Sequence, residues 1–467
     1  MVEQLVARAR IAQKQIDGYS QQQVDLMVSS VAWAILEPAR NRTLAEMAVR
    51  DTGLGDIDDK IAKNFRKTLG LLRDLKNAVT VGVMREDREL GITEVARPVG
   101  VIAAITPSTN PGATPINKIL NALKCRNAII LAPSPKGAST CKQLLEYVHA
   151  QLKRVGAPVD LVQMLPEPIS KDATQMLLRS VDLVVATGSQ SNIRAAYSSG
   201  TPALGVGAGN VAVVIDELAD LMDAARKIAR SKTFDHATSC SSENGAVIVE
   251  AAYGQAVNAL IAQGGVLLDS DDRQRLLQFM FPQGKLSAQA TAQSAPEIAR
   301  RAGLKNPDAS AGRFLMVTET GAGADHPFSG EKLSPVLAIW RVADFDTAVA
   351  MVARIYSYQG AGHSVGLHSA PPSDITERRA LLLAQTLPVA RVIVNQAHAI
   401  AAGGSFDNGL PFSLSMGCGT WGRNSFSENM NYRHYMNVTR IVRPIPEKVP
   451  TVDHLLENYF QRFGRAP

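Results

Sequence analysis

Apolar residues recur at three- and four-residue spacing through roughly the first ninety positions, the period of amphipathic helices. The stretch YSQQQVDLMVSSVAWAILEPARNRTLAEMAVRDTG carries the pattern to a glycine stop, and KIAKNFRKTLGLLRDLK continues it with more charge. At GITEVARPVGVIAAITPSTNP the pattern changes: a compact apolar run from Val99 to Ile105 breaks at Pro107. Short buried runs then alternate with helical stretches. Strands are expected at residues 127–133, 159–165, 181–188 and 211–216, and helices at 138–152, at 170–178 and up to Tyr197. This alternation signals βαβ units and predicts a doubly wound parallel sheet of roughly five strands, suited to a dinucleotide.

A second α/β alternation runs from about residue 233 to 430, with GAVIVE, RFLMVTET, VLAIWRV, SVGLHS and RVIVNQ as its strands. Near the end, HYMNVTRIVRPI alternates like an isolated strand whose partner must be distant in the chain or on another subunit. The glycine- and serine-rich stretches SSGTPALGVGAGN and AAGGSFDNG read as active-site loops. The expected division is a cofactor domain over 1–231, a catalytic domain over 232–430, and an oligomerisation strand with its tail over 431–467. A hairpin near 85–98 belongs with that last segment.

Composition narrows the picture. Of 467 residues, 46% are hydrophobic and 20% charged, the balance of a globular enzyme. No apolar run is long enough to span a membrane, and the first residues lack the apolar core of a signal peptide, so the cytoplasm is expected. The net charge of +6 is spread among acids without a basic run interleaved with aromatics, which argues against nucleic acid. Four cysteines without a CxxC pair indicate neither a metal site nor a disulfide framework.

Of these, Cys141 shares a helix face with Leu144, Leu145, Val148 and Leu152 and reads as core; Cys125 and Cys418 read as structural. Cys240 differs. It lies in SKTFDHATSCSSENG among hydroxyls that favour a reactive thiolate, and it is the candidate nucleophile.

That stretch resembles the nucleophile region of the CoA-acylating aldehyde dehydrogenases. ITPSTNP, ATGS, AYSSGTPALGVGAGN, EKLSPVL, GAGHSVGLH and LSMGCGTWGRNS follow in the family's order across residues 90 to 440. The resemblance implies an aldehyde dehydrogenase-like fold: a Rossmann-like cofactor domain, an α/β catalytic domain and a small oligomerisation segment. It implies that Cys240 carries the acyl group as a thioester, that Asn110 and the Cys240 N–H bind the oxyanion, and that His363 serves as proton shuttle or thiol base. The hydrolytic branch places a glutamate base at the point where this chain has Ala208, Gly209 and Asn210, so the thioester should await a thiol such as coenzyme A.

For the cofactor, the resemblance implies Thr106, Pro107, Gly188, Ser189, Gly207 and Glu331. Gly188 and Ser189 follow a strand and open a helix, where N–H groups favour a pyrophosphate. Ser134 and Lys136 after the second strand suit a 2′-phosphate, so NADP is expected, with NAD possible. Within the branch the likeness is nearest to dehydrogenases of sulfoacetaldehyde, then of succinate semialdehyde. Thr238, Ser239, Ser241, His398 and Ser405 are its candidate substrate contacts, with Arg433 a more distant one. Arg423 stands where glycine is expected. A homodimer or homotetramer is expected, free in the cytosol, because no extra targeting helix precedes the first helices. Two rivals remain: a hydrolytic dehydrogenase using Glu243 as base, and a cofactor-binding protein without turnover.

Overall fold

The computed structural model describes residues 1–465. Helices occupy the first seventy-five residues, beginning with Val2–Gln15 and ending with Ile57–Leu75. The second helix, Gln21–Leu36, starts at a reciprocal cap in which Ser20 and Gln23 each satisfy the other's backbone N–H.

Three sheets follow. The first has five parallel strands in the order Val162–Met164, Ala128–Pro133, Val101–Thr106, Leu183–Thr187, Ala203–Val206. Its central strands are buried at every position, as expected for a sheet covered by helices on both faces. The second has seven parallel strands in the order Gly265–Leu267, Phe314–Thr318, Val336–Val342, Glu243–Val249, Val211–Ile215, Val365–His368, Val392–Val394. Each large sheet has its own apolar core.

Two expectations about these sheets need correction. Val211–Ile215, read as the last strand of the first sheet, sits near the middle of the second. Ala203–Val206, read as loop, closes the first sheet beside Leu183–Thr187. An apolar run shows that a strand is buried but not which sheet buries it, and a four-residue strand among glycine, proline and serine has no periodicity to reveal it. The chain therefore crosses from one sheet to the other in the four residues Gly207, Ala208, Gly209 and Asn210, a short crossing that puts this segment at the seam.

The third sheet joins the hairpin Gly82–Asp87 and Ile92–Pro98 to the late strand Met436–Val442, which pairs antiparallel with Ile92–Pro98 in the same chain. The isolated strand thus finds its partner more than three hundred residues away. Among the described residues no helix is long and apolar enough to cross a membrane.

Candidate active site

The approach to Cys240 is backbone under strain. After the helix Leu221–Thr233, Asp235, His236 and Ala237 take φ values of +51°, +48° and +58°. Side chains avoid this left-handed region at a cost of about 1 kcal/mol or more each, so the turn persists only if its surroundings hold it. Asp235 is what they hold. Its Oδ1 accepts the Asp56 N–H at 2.9 Å; its Oδ2 accepts Lys60 Nζ at 3.1 Å, the Thr238 hydroxyl at 2.7 Å, and Lys63 Nζ. Its own N–H donates to Asp59 Oδ2 at 2.7 Å. Burial pushes the Asp235 carboxyl up, but Lys63 and Lys60 outweigh it and hold the group below its ordinary value.

Lys63 also reaches Asn110 Oδ1 at 2.9 Å and Thr238 Oγ1 at 2.8 Å. An ammonium only donates, so the oxygen of the Asn110 amide must face it and the NH2 must face the other way. That NH2 has only a 3.4 Å contact to Thr109 Oγ1. The cage around Asp235 thereby orients the Asn110 amide with its NH2 turned away from Lys63.

Cys240 is partly exposed, packed against Ile393, Ala401, Ala402 and Met416. Its Sγ lies 3.4 Å from His363 Nε2. Burial, with help from Glu331 and Cys418, pushes the thiol up to about 12, while burial and the Arg391 guanidinium push His363 down to about 3. At rest the pair is therefore a thiol facing a neutral imidazole. The other cysteines are buried, and burial raises their thiols to about 12 at Cys125 and Cys141 and about 11 at Cys418, as core residues require.

The seam segment flanks this pair and contributes no acid. A Cβ at Gly209 would come within 2.7 Å of both the Cys240 carbonyl oxygen and the His363 ring, so no side chain fits there. Two carboxylates are nearby, Glu331 half-buried and Glu243 buried. Glu331 Oε1 accepts the Gly209 N–H at 3.1 Å, and burial raises it to about 7. Glu243 Oε1 accepts the His398 N–H at 3.2 Å, and burial raises it likewise to about 7. Neither is hydrogen-bonded to Cys240.

All the expected cofactor residues except Glu331, which precedes Val336–Val342 of the second sheet, gather at the carboxyl ends of the first sheet's strands, where an α/β sheet takes its ligand. Thr106 ends the central strand, and its carbonyl accepts the Ser134 N–H at 2.9 Å. Its hydroxyl is buried without a partner among the described residues, an unused group that fits a dinucleotide. Pro107 follows directly. Lys136 is exposed on the turn Pro135–Gly137, and Ser189 caps the helix Gln190–Tyr197 directly after Gly188. A Cβ at Gly207 would strike Gln190 at 2.5 Å, so this glycine lets the seam pass close to that helix.

Among the expected substrate contacts, Ser239 and Ser241 share a hydrogen bond of 2.7 Å beside Cys240. Thr238 is absorbed into the Asp235 cage. Ser405 accepts Arg66 Nη2 at 2.5 Å. His398 is not turned to a substrate: it is buried, and its Nε2 meets Ser364 Oγ at 2.8 Å. Arg433 lies over the Tyr432 ring on an exposed turn. Arg423 takes φ +57°, the region that glycine favours.

The sequence reading missed Lys60, Lys63, Arg66 and Lys67, all on the helix Ile57–Leu75. Their spacing of three and four residues marks one helical face, but a basic face is ordinarily read as solvated. Here it turns inward. Lys67 Nζ donates to the Gly403 and Gly404 carbonyls at 2.8 and 3.3 Å, and burial lowers it to about 7. Next to it a cavity of about 570 Å³ is lined by Arg66, Arg230 and Arg313 with one acid, Asp59, and by Phe234, Ile400 and Phe406. Among the described residues none of these three arginines pairs with a carboxylate.

A family model described as the aldehyde dehydrogenase family matches residues 1–407. The chain is 62% identical over 461 residues to the sulfoacetaldehyde dehydrogenase (acylating) of Cupriavidus necator, covering 99% of this chain and 92% of that one. It is 36% identical to the succinate-semialdehyde dehydrogenase (acetylating) of Clostridium kluyveri, over 94% of this chain and 95% of that one. Among solved structures, an acetylating aldehyde dehydrogenase from Geobacillus thermoglucosidasius superposes with a TM-score of 0.91 at 35% identity, over 96% and 98% of the two chains.

Proposed function

The chain belongs to the aldehyde dehydrogenase family, and from that premise we propose that it is a CoA-acylating enzyme that oxidises sulfoacetaldehyde to its acyl-CoA. The observation that carries the reading is Cys240 Sγ within 3.4 Å of His363 Nε2, beside a seam where Gly209 leaves no room for a carboxylate.

His363 takes the thiol proton, and Cys240 attacks the aldehyde carbon. The Asn110 NH2, turned away from Lys63, and the Cys240 N–H receive the oxyanion. A nicotinamide dinucleotide bound there would supply the hydride acceptor. Thr106, Ser189 and Lys136 would hold it, the last through a 2′-phosphate, which favours NADP over NAD. The thioester then waits for the thiol of coenzyme A, because no side chain of the seam can activate water in its place. Once His363 has released the first thiol proton to solvent, it can take the coenzyme A proton and return it to the departing Cys240 sulfur.

The substrate carries an anion, and the cavity lined by Arg66, Arg230 and Arg313 supports that reading by drawing anions toward the Ser405 loop. By function, the part of the chain before the seam holds the dinucleotide and the part after it carries the nucleophile. The edge strand Met436–Val442, with exposed Ile441 and Val442, supports assembly as a homodimer or homotetramer. Four free thiols fit the reducing cytoplasm.

The test follows NADPH formation with sulfoacetaldehyde, succinate semialdehyde and propionaldehyde, each with and without coenzyme A. CoA-dependent formation with sulfoacetaldehyde as the best aldehyde, lost in Cys240→Ala, is expected. Equal rates without coenzyme A would overturn the acylating reading, and preference for succinate semialdehyde would overturn the substrate.

A further inference from the structure

Behind His363 the structure contains a polar chain that the reaction outlined above does not use. His363 Nδ1 lies 2.7 Å from Ser364 Oγ, and Ser364 Oγ lies 2.8 Å from His398 Nε2. All three residues are buried. Ser364 is itself fixed, because its carbonyl accepts the Tyr356 hydroxyl at 2.6 Å. His398 is fixed by its backbone, which donates to Glu243 Oε1. At the far end His398 Nδ1 has no partner among the described residues.

The charged and titratable groups around the chain are Arg391, His368, Glu243 and Cys240. Arg391 donates to the His363 carbonyl at 3.2 Å and so places its positive charge against both rings. Burial, reinforced by that charge, keeps His363 and His398 neutral. Each ring then carries one proton, and Ser364 has one to give. If Ser364 donates to His398 Nε2, it must accept from His363 Nδ1–H, and His363 Nε2 is left bare. If it donates to His363 Nδ1, then His363 carries its proton on Nε2, which can donate to the Cys240 sulfur but cannot receive its proton. Only the first setting lets the imidazole receive the thiol proton.

We propose that Ser364 and His398 are positioning residues which together hold His363 with its proton on Nδ1 and its bare Nε2 facing the Cys240 thiol. The proton of the S–H bond passes to Nε2, the electron pair stays on sulfur, and the Nδ1–H remains donated to Ser364 Oγ throughout. This assigns His398 a part in reactivity rather than in substrate contact, and it rests on the reading of His363 as the base for Cys240.

The test is the rate of Cys240 alkylation by iodoacetamide against pH in the full-length enzyme, mapped to Cys240 by mass spectrometry. His363→Ala serves as the reference. Ser364→Ala is expected to slow alkylation at neutral pH by about tenfold, the lower range for loss of a group that orients a histidine, and to move the profile to higher pH. Ser364→Thr, which keeps the hydroxyl, should restore the rate to within about twofold. His398→Gln, which keeps an acceptor at the same reach, should retain the rate, whereas His398→Leu should behave as Ser364→Ala. If His398→Leu does not fold, the Ser364→Ala and Ser364→Thr pair decides alone. Unchanged rate and profile in Ser364→Ala, with His363→Ala slow, would overturn the positioning role and leave the base assignment standing. An unchanged rate in His363→Ala would overturn the base assignment itself.

Discussion

On one side of the cleft, Asp235 receives hydrogen bonds from the Asp56 N–H, Lys60, Lys63 and Thr238, and three left-handed residues are pinned in place by them. On the other side, Thr106 keeps a buried hydroxyl without a partner, Lys136 is exposed, and Ser189 bonds only to its own helix and neighbour. The wall around Cys240 is thus satisfied within the chain, while the wall proposed for the dinucleotide keeps the Thr106 hydroxyl and Lys136 without partners among the described residues. The difference follows from what each must do. Donors for a transient oxyanion must be in place before the charge develops, since reorganising them during the reaction would raise the barrier. A dinucleotide is held for a whole turnover and then released, so its wall works with contacts that form on binding.

The contrast is most severely tested by Lys63→Met. It removes the orienting donor of Asn110 and one of two cations from a buried carboxylate, so stability should fall by about 3 kcal/mol or more and kcat by at least about a hundredfold. Thermal melting and steady-state rates measure both. A variant with native melting and native kcat would show that the cage is incidental.

Acid should unfold the nucleophile wall next. Burial depresses His363 to about 3 and His368 to about 4. Below about pH 6.5 the unfolded chain binds protons that the folded chain refuses. Stability is therefore full above that pH and is lost on the way down toward 4 and then 3, at about 1.4 kcal/mol per histidine per pH unit. The melting temperature should drop between pH 7.5 and 5, and drop less in His368→Asn. A flat melting temperature would contradict neutral imidazoles.

Asn110→Ala sharpens the comparison by separating catalysis from stability. It should lower kcat about a hundredfold and cost less melting temperature than Lys63→Met, since its NH2 has only a 3.4 Å contact and Lys63 keeps Asp235 and Thr238. A large stability loss would make Asn110 a strut rather than a donor. The smallest effect belongs to the other wall. Lys136→Ala should raise KM for NADP about fivefold and leave kcat and melting unchanged, the signature of an exposed cation that meets only the ligand. An equal rise for NAD would remove the 2′-phosphate as its partner.

Much of this was legible along the chain. The alternation of strands and helices and the order of the short motifs are local patterns, visible within a dozen residues of each feature. The setting of Cys240 was not, since its hydroxyl neighbours suggested a favoured thiolate while the fold packs it against apolar residues and raises its thiol. The helix Ile57–Leu75 shows where local reading failed. Its Lys60, Lys63 and Lys67 have the period of a helix face, but nothing nearby says whether that face meets water or Asp235. Val211–Ile215 failed in the same way, as a strand whose burial was plain and whose sheet was not.

The sequence by itself determined most of the elements, the candidate nucleophile and the family, because periodicity and motif spacing are written in neighbouring residues. Tertiary structure alone decided the sheet that holds each strand, the cage that orients Asn110 and the chain from His363 through Ser364 to His398. The reason is separation. Lys63 and Asp235 stand 172 residues apart, and Cys240 and His363 stand 123 apart. A buried charge or a ring nitrogen finds its partner only when the fold has removed the water that would otherwise satisfy it.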